Sequence, residues 1–468
     1  MFFFQDNIGY LIQLHSTPFW QWLLVPDAEH FAPITHILFY IEYHLFNLNF
    51  IYYFSVSVFL HLLAVALLAY IINFLTKNKF LSLVGIILFS VNLTYTEPIL
   101  WSLQGLILST IFVASAFLLW YRFVQKGKNK YFWFSIFMLI LSGFTYGLGA
   151  GAGIVFFFLT FIYKCSKKRN LFLYETVYIL TGIFTFLSGP AVVSGMTEQV
   201  TPVVNNPFRD SLLYFAFVFS GVTRGVIGRL FLPGFEPRHF QIIPTVISFI
   251  PALLMLLLGV WFLKSKKIKR EAKLLFVNLC VLIIYPYIWA GFVRYQFGLK
   301  QALAERYAYP SLFFFCIVLV FIIKALLENK HLSKKIILII VLLIFIFQSV
   351  MLWRNSVIFE KRPQLTKVYF TNLTFLLASS EVVLSLPLPS YINQEYTISQ
   401  LAPLLGKFPN IKYIDPKAGK FCSYFFVKEL LKPAVYDFYH NQLLDPVVGK
   451  VLSLNAIENC RKEMDGIK

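Results

Sequence analysis

Residues 131–163 read YFWFSIFMLILSGFTYGLGAGAGIVFFFLTFIY, an apolar run longer than the roughly 20 residues of one membrane helix and cut near its middle by Ser142-Gly143 and by the glycines from Gly147 to Gly153. Small residues permit a tight turn whose backbone is shielded by protein, so the run predicts two short helices meeting in a hairpin. Eight other windows meet the same length and polarity requirement: 50–75, 80–97, 104–123, 172–190, 243–264, 274–293, 309–328 and 336–353. With the hairpin counted as two crossings, the chain has ten predicted spans.

The positions of Lys and Arg check this count, because hydropathy makes no use of them. Lys77/Lys79, Arg122/Lys126/Lys128/Lys130, Lys164/Lys167/Lys168/Arg169, Lys264 through Lys273 and Lys324 through Lys335 fall in alternate loops, and so on one side, only if the hairpin crosses twice. Cytoplasmic loops carry the excess of basic residues, so that side is cytoplasmic. The other side receives residues 1–49, 98–103, 142–150, 191–242, 294–308 and everything after 353.

Composition agrees. Of 468 residues, 58% are apolar and only 13% charged, with 53 Phe and 26 Tyr, and the mean hydropathy is +0.71; an ordinary soluble protein is excluded, as are disordered, collagen-like and disulfide-scaffold classes. The net charge of +19 follows from topology and does not imply nucleic-acid binding. Met1-Phe-Phe-Phe4 opens on the outer side with no signal peptide of usual form, and Phe2–Phe4 reads as the end of a first transmembrane helix whose start lies upstream; an authentic outward N-terminus is the alternative. Residues 33–48 and about 211–232 read as interfacial or re-entrant helices.

The expected fold class is therefore an all-α polytopic membrane protein with a transmembrane domain over 1–353, its outer loops being 1–49, 191–242 and 294–308, and a small extracytoplasmic domain over 354–468. In that domain Val382–Leu386 and Ile411–Ile414 suggest short strands and Tyr424–Leu431 a helix, a small α/β cap. Of five cysteines only Cys422 and Cys460 share it, and whether they are bridged stays open.

Ionisable residues without a topological reason concentrate on the outer side. The first group is Asp6 with Asp27, Glu29 and His30 of the segment Pro26 to Thr35. Carboxylates and an imidazole at a membrane surface suit a general base or a divalent-cation site, although no spacing here demands a metal; solvated loop acids and a helix cap are the plainer reading. A second group is Glu97, before Pro98, with Trp101 as an interfacial aromatic. The third is Arg294, Lys300, Glu305 and Arg306 before the 309–328 span, joined by Arg224, Arg229 and Arg238. Outer arginines can grip a phosphate by charge-assisted bonds, or Arg306 can simply pair with a neighbouring acid.

His30-Phe-Ala-Pro33-Ile-Thr35, His61-Leu-Leu in the next span, Thr96-Glu97-Pro-Ile-Leu-Trp101 and Ala304-Glu305-Arg306-Tyr307-Ala308-Tyr309-Pro310-Ser311 together resemble, in order and spacing over about residues 4–330, the GT-C superfamily of polytopic glycosyltransferases, closest to its protein O-mannosyltransferase-like members. The resemblance implies transfer of a sugar from a polyprenyl-phosphate carrier to an acceptor on the non-cytoplasmic face, with inversion at the anomeric carbon. It also implies a catalytic acid in the first outer loop, just after the first transmembrane helix, a position that Asp6 occupies. Asp27 or Glu29 would be the next choice of base, with Glu97, His30, Trp101 and Glu305 shaping the site and Arg306, Arg294 and Lys300 on the donor phosphate. The chain shows Asp6-Asn7 where members often carry paired acids, is one residue shorter after Arg306, and has no tetratricopeptide region, so acceptor and base stay open. Rival readings are a transporter or flippase of lipid-linked saccharides, a glycan ligase or polymerase, and an inactive assembly subunit. Transporters usually carry internal repeats and polar residues near the bilayer midplane, whereas here the ionisable residues crowd at one face.

Overall fold

The computed structural model describes residues 6–24, 31–100, 104–167, 171–193, 207–233, 242–379, 382–384, 388, 396–406, 408, 412–414, 435–437 and 442–444. Helices α1 (Asp6–Ser16), α2 (Phe19–Leu23) and α3 (Pro33–Phe46) precede α4 (Phe50–Thr76) and α5 (Lys79–Ser90). Then follow α6 (Gln104–Lys126), α7 (Asn129–Gly143), α8 (Gly147–Ala150), α9 (Ala152–Lys167) and α10 (Phe172–Val193). Next come α11 (Pro207–Ser220), continued by a π-helical stretch Gly221–Gly228 into α12 (Arg229–Phe231), and α13 (Ile242–Lys264), α14 (Arg270–Arg294), α15 (Glu305–Glu328) and α16 (Lys334–Ser379). The remaining elements are β1 (Val382–Leu384), α17 (Ile398–Leu405), β2 (Lys412–Ile414), β3 (Val435–Asp437) and β4 (Gln442–Leu444).

The predicted windows are helical apart from a break within 80–97, and among the described residues seven helices are long and apolar enough to cross a membrane, eight if the bent pair Lys79–Ser90 and Leu93–Ile99 is one span. The bilayer is needed to explain the surface. On α13, Leu253, Leu254, Leu256 and Leu257 are all more than half exposed, and on α16 so are Ile339, Leu343, Ile346 and Val350. Such faces are unsustainable in water over this area. By contrast α15, equally apolar, is 83% buried against 17% for α16, which makes it the central helix and α16 a lipid-facing one. This is a multi-pass membrane protein.

The hairpin forms as two helices, α7 and α9, around the short α8, and close approach explains its glycines. A Cβ on Gly153 would meet the backbone of Gly182 on α10, and one on Gly151 would enter the Trp289 ring. Gly153→Val is expected to force α9 and α10 apart at a cost of about 2 kcal/mol, read as a lower thermal midpoint in detergent; an unchanged midpoint would contradict this packing.

Two details differ from the sequence expectation. The 80–97 window is not one straight helix ended by Pro98: it breaks at Val91 and Asn92, both extended, and turns by 59°. The Asn92 side chain accepts from the Thr94 N–H at 2.9 Å and starts a new 3-10 turn, which offers the backbone an alternative to continuing α5. The segment read as interfacial is a continuous helical run, Pro207–Phe231, long enough to span. Its glycines admit an aromatic neighbour, since a Cβ on Gly221 would strike the Tyr287 ring.

The chain divides into two compact units. The larger comprises Leu24–Leu38 and Phe54–Ser356. The smaller joins Met1–Leu23 and Phe39–Tyr53 to Val357–Lys468, so the C-terminal segment shares a unit with α1 and α2. Within the smaller unit Gln13 Nε2 donates to the Tyr396 hydroxyl at 2.8 Å, α17 begins with a Thr397–Gln400 capping box, β1 pairs with β2 in parallel and β3 with β4 antiparallel. Cys422, Cys460 and the helix expected over Tyr424–Leu431 lie outside the described residues.

Candidate functional site

Of the residues singled out in the sequence, Asp27, Glu29, His30, Trp101 and Arg238 lie outside the described residues. Asp6 begins α1 in the smaller unit. Glu97, Arg294, Lys300, Glu305 and Arg306 belong to the larger unit, and there Glu97 meets Glu305 and Arg306 across some two hundred positions of sequence.

The meeting is a reciprocal cap. The first amides of any helix lack intrahelical acceptors. Arg306 is the second residue of α15, whose N-cap, Ala304, offers no side-chain bond; its N–H donates to Glu97 Oε2 at 3.1 Å. Glu97 is the second residue of the π turn Thr96–Leu100, and its N–H donates to Glu305 Oε2 at 2.9 Å. Each helical start thus uses the other's carboxylate, and both carboxylates sit where the helix dipole favours negative charge. Arg306 Nε lies 3.8 Å from Glu97 Oε2, with both side chains about a quarter exposed. The result is a mostly buried guanidinium beside the fixed Glu97 carboxylate at the start of the central helix.

Polar residues of other helices hold this end in place. Asn355 Nδ2 donates to Thr96 Oγ1 at 2.6 Å. Gln348, buried on α16, accepts from the Leu93 N–H at 2.9 Å and donates to the carbonyls of Arg229 at 2.6 Å and Leu230 at 2.8 Å. It therefore ties the break after α5 to the end of α12. Deeper in the bundle, His61 Nε2 faces the Ser90 carbonyl at 3.1 Å, so that nitrogen donates and Nδ1 accepts from the Tyr309 hydroxyl at 2.9 Å. His61 is a pin joining α4, α5 and α15. His61→Leu is expected to cost about 2 kcal/mol by stranding that carbonyl and hydroxyl; a thermal midpoint equal to wild type would contradict this role.

The other cations are dispersed. Arg294, at the end of α14, lies over the Phe297 ring at 5.5 Å, and Lys300 is exposed in the turn leading to α15. Arg224 donates from Nε to Ser248 Oγ at 3.2 Å, and Arg229 is buried. Among the described residues no three metal-capable side chains cluster, and the set Asp6, Glu29 and His30 falls outside the described side chains. Gln348, Asn355 and Asn92 were missed in the sequence. The signal for Gln348 was there: it is the one amide in the apolar window 336–353, and a buried amide in a span requires partners. No family model, curated protein or solved structure matches the chain.

Proposed function

We propose that the protein is a GT-C-type glycosyltransferase, moving a sugar from a polyprenyl-phosphate donor to an acceptor at the non-cytoplasmic face of the membrane. The observation that carries this reading is the Glu97–Glu305–Arg306 assembly, which unites two of the sequence segments on which the family resemblance rests. In the proposed reaction the acceptor hydroxyl oxygen attacks the anomeric carbon as the bond from that carbon to the phosphate oxygen breaks, inverting the centre. The electron pair leaves with the polyprenyl phosphate, and the hydroxyl proton passes to a carboxylate, Asp6 first and Asp27 or Glu29 next. Arg306, with Arg294 at the end of α14 and Lys300 in the connection that follows, offsets the charge developing on the phosphate; Glu97 holds Arg306 in position and Glu305 anchors Glu97. A divalent cation near Asp6, Glu29 and His30 would serve the same charge. The donor's long tail requires a membrane-embedded enzyme. The region after 354 is proposed as an extracytoplasmic α/β cap.

The test is the fate of the donor. Proteoliposomes containing the chain and a labelled polyprenyl-phosphate sugar should release polyprenyl phosphate together with a glycosylated product of inverted configuration. Donor left intact across several sugars and acceptors, or carried across the bilayer unchanged, would overturn the proposal.

Sidedness gives a second test. The proposal puts Lys164–Arg169 and Lys264–Lys273 both in the cytoplasm, so Pro207–Phe231 must enter and leave on one side although it is long enough to cross. Exposed Cys165 and a cysteine introduced for Lys267 should both react with an impermeant thiol reagent only from the cytoplasmic side. Opposite accessibility of the two would mean that Pro207–Phe231 crosses.

A further inference from the structure

Side chains of the Pro207–Phe231 helix, α13, α14 and α15 enclose an apolar groove of about 850 Å³, large enough for a ligand, and none of the side chains lining it is charged. On α13 its lining runs from Phe249 to Leu263, about 21 Å of helix at 1.5 Å per residue. It is open sideways, because Ile250, Leu253 and Leu256 line it and are each about half exposed or more. On α15 the lining residues Phe315, Val318 and Ile322 form one stripe. The opposite stripe of that helix faces α5: Tyr309 and Phe313 meet Phe89, and Val320 approaches Gly85. The groove therefore lies on the face of α15 turned away from α5.

One end of the groove is cationic. Arg224 follows the lining residues Val222 and Thr223, and its guanidinium lies 5.8 Å from the centre of the Phe249 ring, at the end of α13 remote from Lys264. The Nε bond to Ser248 at 3.2 Å fixes it there. A cation at one end of an open, uncharged channel some two-thirds of a bilayer core in length is complementary to an amphiphile with an anionic head and a hydrocarbon chain. Lateral opening lets an abundant bilayer lipid enter.

We propose that this groove is a phospholipid site, in which one acyl chain of a glycerophospholipid from the surrounding bilayer lies along α13 and its phosphate is bound by Arg224. Neither Glu97 nor Arg306 lines the groove, and the site holds whether or not the chain transfers sugar. It also reassigns Arg224, grouped in the sequence with the cations of a donor site.

The test uses full-length chain purified in mild detergent, with retained lipid identified and counted by native mass spectrometry. Gly259→Leu fills the groove without crowding the backbone, since a Cβ at Gly259 meets only the Phe276 ring, at an ordinary 3.4 Å to Cζ. Arg224→Gln removes the cation and leaves the groove. Wild type should retain a diacyl phospholipid, Gly259→Leu should lose it, and Arg224→Gln should retain about tenfold less, the loss expected for one charge-assisted contact. Equal retention in wild type and Arg224→Gln would overturn the proposal even if Gly259→Leu failed to fold. So would retention of a polyprenyl phosphate alone, which would give the groove to a donor, or of uncharged lipid alone, which would leave Arg224 without a role.

Discussion

Replacing Gln348 with leucine is expected to lower stability by about 3 kcal/mol, roughly 1 kcal/mol for each of three lost bonds to backbone groups. Leucine nearly fills the same volume, so a cavity contributes little and the effect isolates the polar contacts. The Arg229 and Leu230 carbonyls sit at the end of α12, where helical acceptors have no further N–H to receive, and the Leu93 N–H sits at the break after α5. The Gln348 side chain that meets those groups is shielded from solvent, being 1% exposed. Gln348→Glu supplies a comparison: it keeps the acceptor for Leu93 but sets a carboxylate against two carbonyl oxygens, so it should be at least as damaging. Thermal unfolding in detergent reads both. A loss below about 1 kcal/mol for the leucine variant would show that the two segments are held by packing instead.

Arg306→Ala is expected to leave stability almost unchanged while lowering sugar transfer about a hundredfold or more. The first half follows from geometry: an ion pair as long as 3.8 Å and open to solvent on one side contributes about 0–1 kcal/mol, and the backbone bond from the residue 306 N–H to Glu97 survives the substitution. The second half follows from the proposed role, since removing one preorganised donor to developing charge costs about 3–4 kcal/mol of transition-state stabilisation. Glu97→Gln retains an oxygen for the Arg306 N–H but loses the charge that orients the guanidinium, so it should lower kcat less than Arg306→Ala and leave the thermal midpoint in place. Transfer at the wild-type rate by Arg306→Ala, with the protein intact, would remove Arg306 from the chemistry.

The helices were legible because apolar helices of this kind are written in length and hydropathy, and the two helices of the hairpin because Ser142-Gly143 and the glycines from Gly147 to Gly153 interrupt the 131–163 run. The break at Asn92 was obscured by the continuous apolar window around it and by Pro98, which offers a stronger boundary signal than an asparagine two residues before a threonine. Pro207–Phe231 looked interrupted because Gly221, Arg224, Gly225, Gly228 and Arg229 dilute its hydropathy; in the fold Gly221 and Gly225 admit Tyr287, and Arg229 is buried. The pairing of Glu97 with Arg306 follows no periodicity, since contacts between distant helix starts depend on packing that no local pattern encodes. What the sequence offers is coarser: both motifs fall on the same predicted side of the membrane, as outer acids and outer arginines.

The most direct measurement is transfer of a radiolabelled sugar from a polyprenyl-phosphate donor in membranes, comparing the wild-type chain with its Asp6→Asn variant at matched expression. The proposed mechanism predicts label in the acceptor with wild type and its loss with Asp6→Asn, while donor binding persists. Equal transfer by both would move the base to Asp27 or Glu29, and no transfer by the wild type with any donor sugar would contradict the glycosyltransferase reading itself.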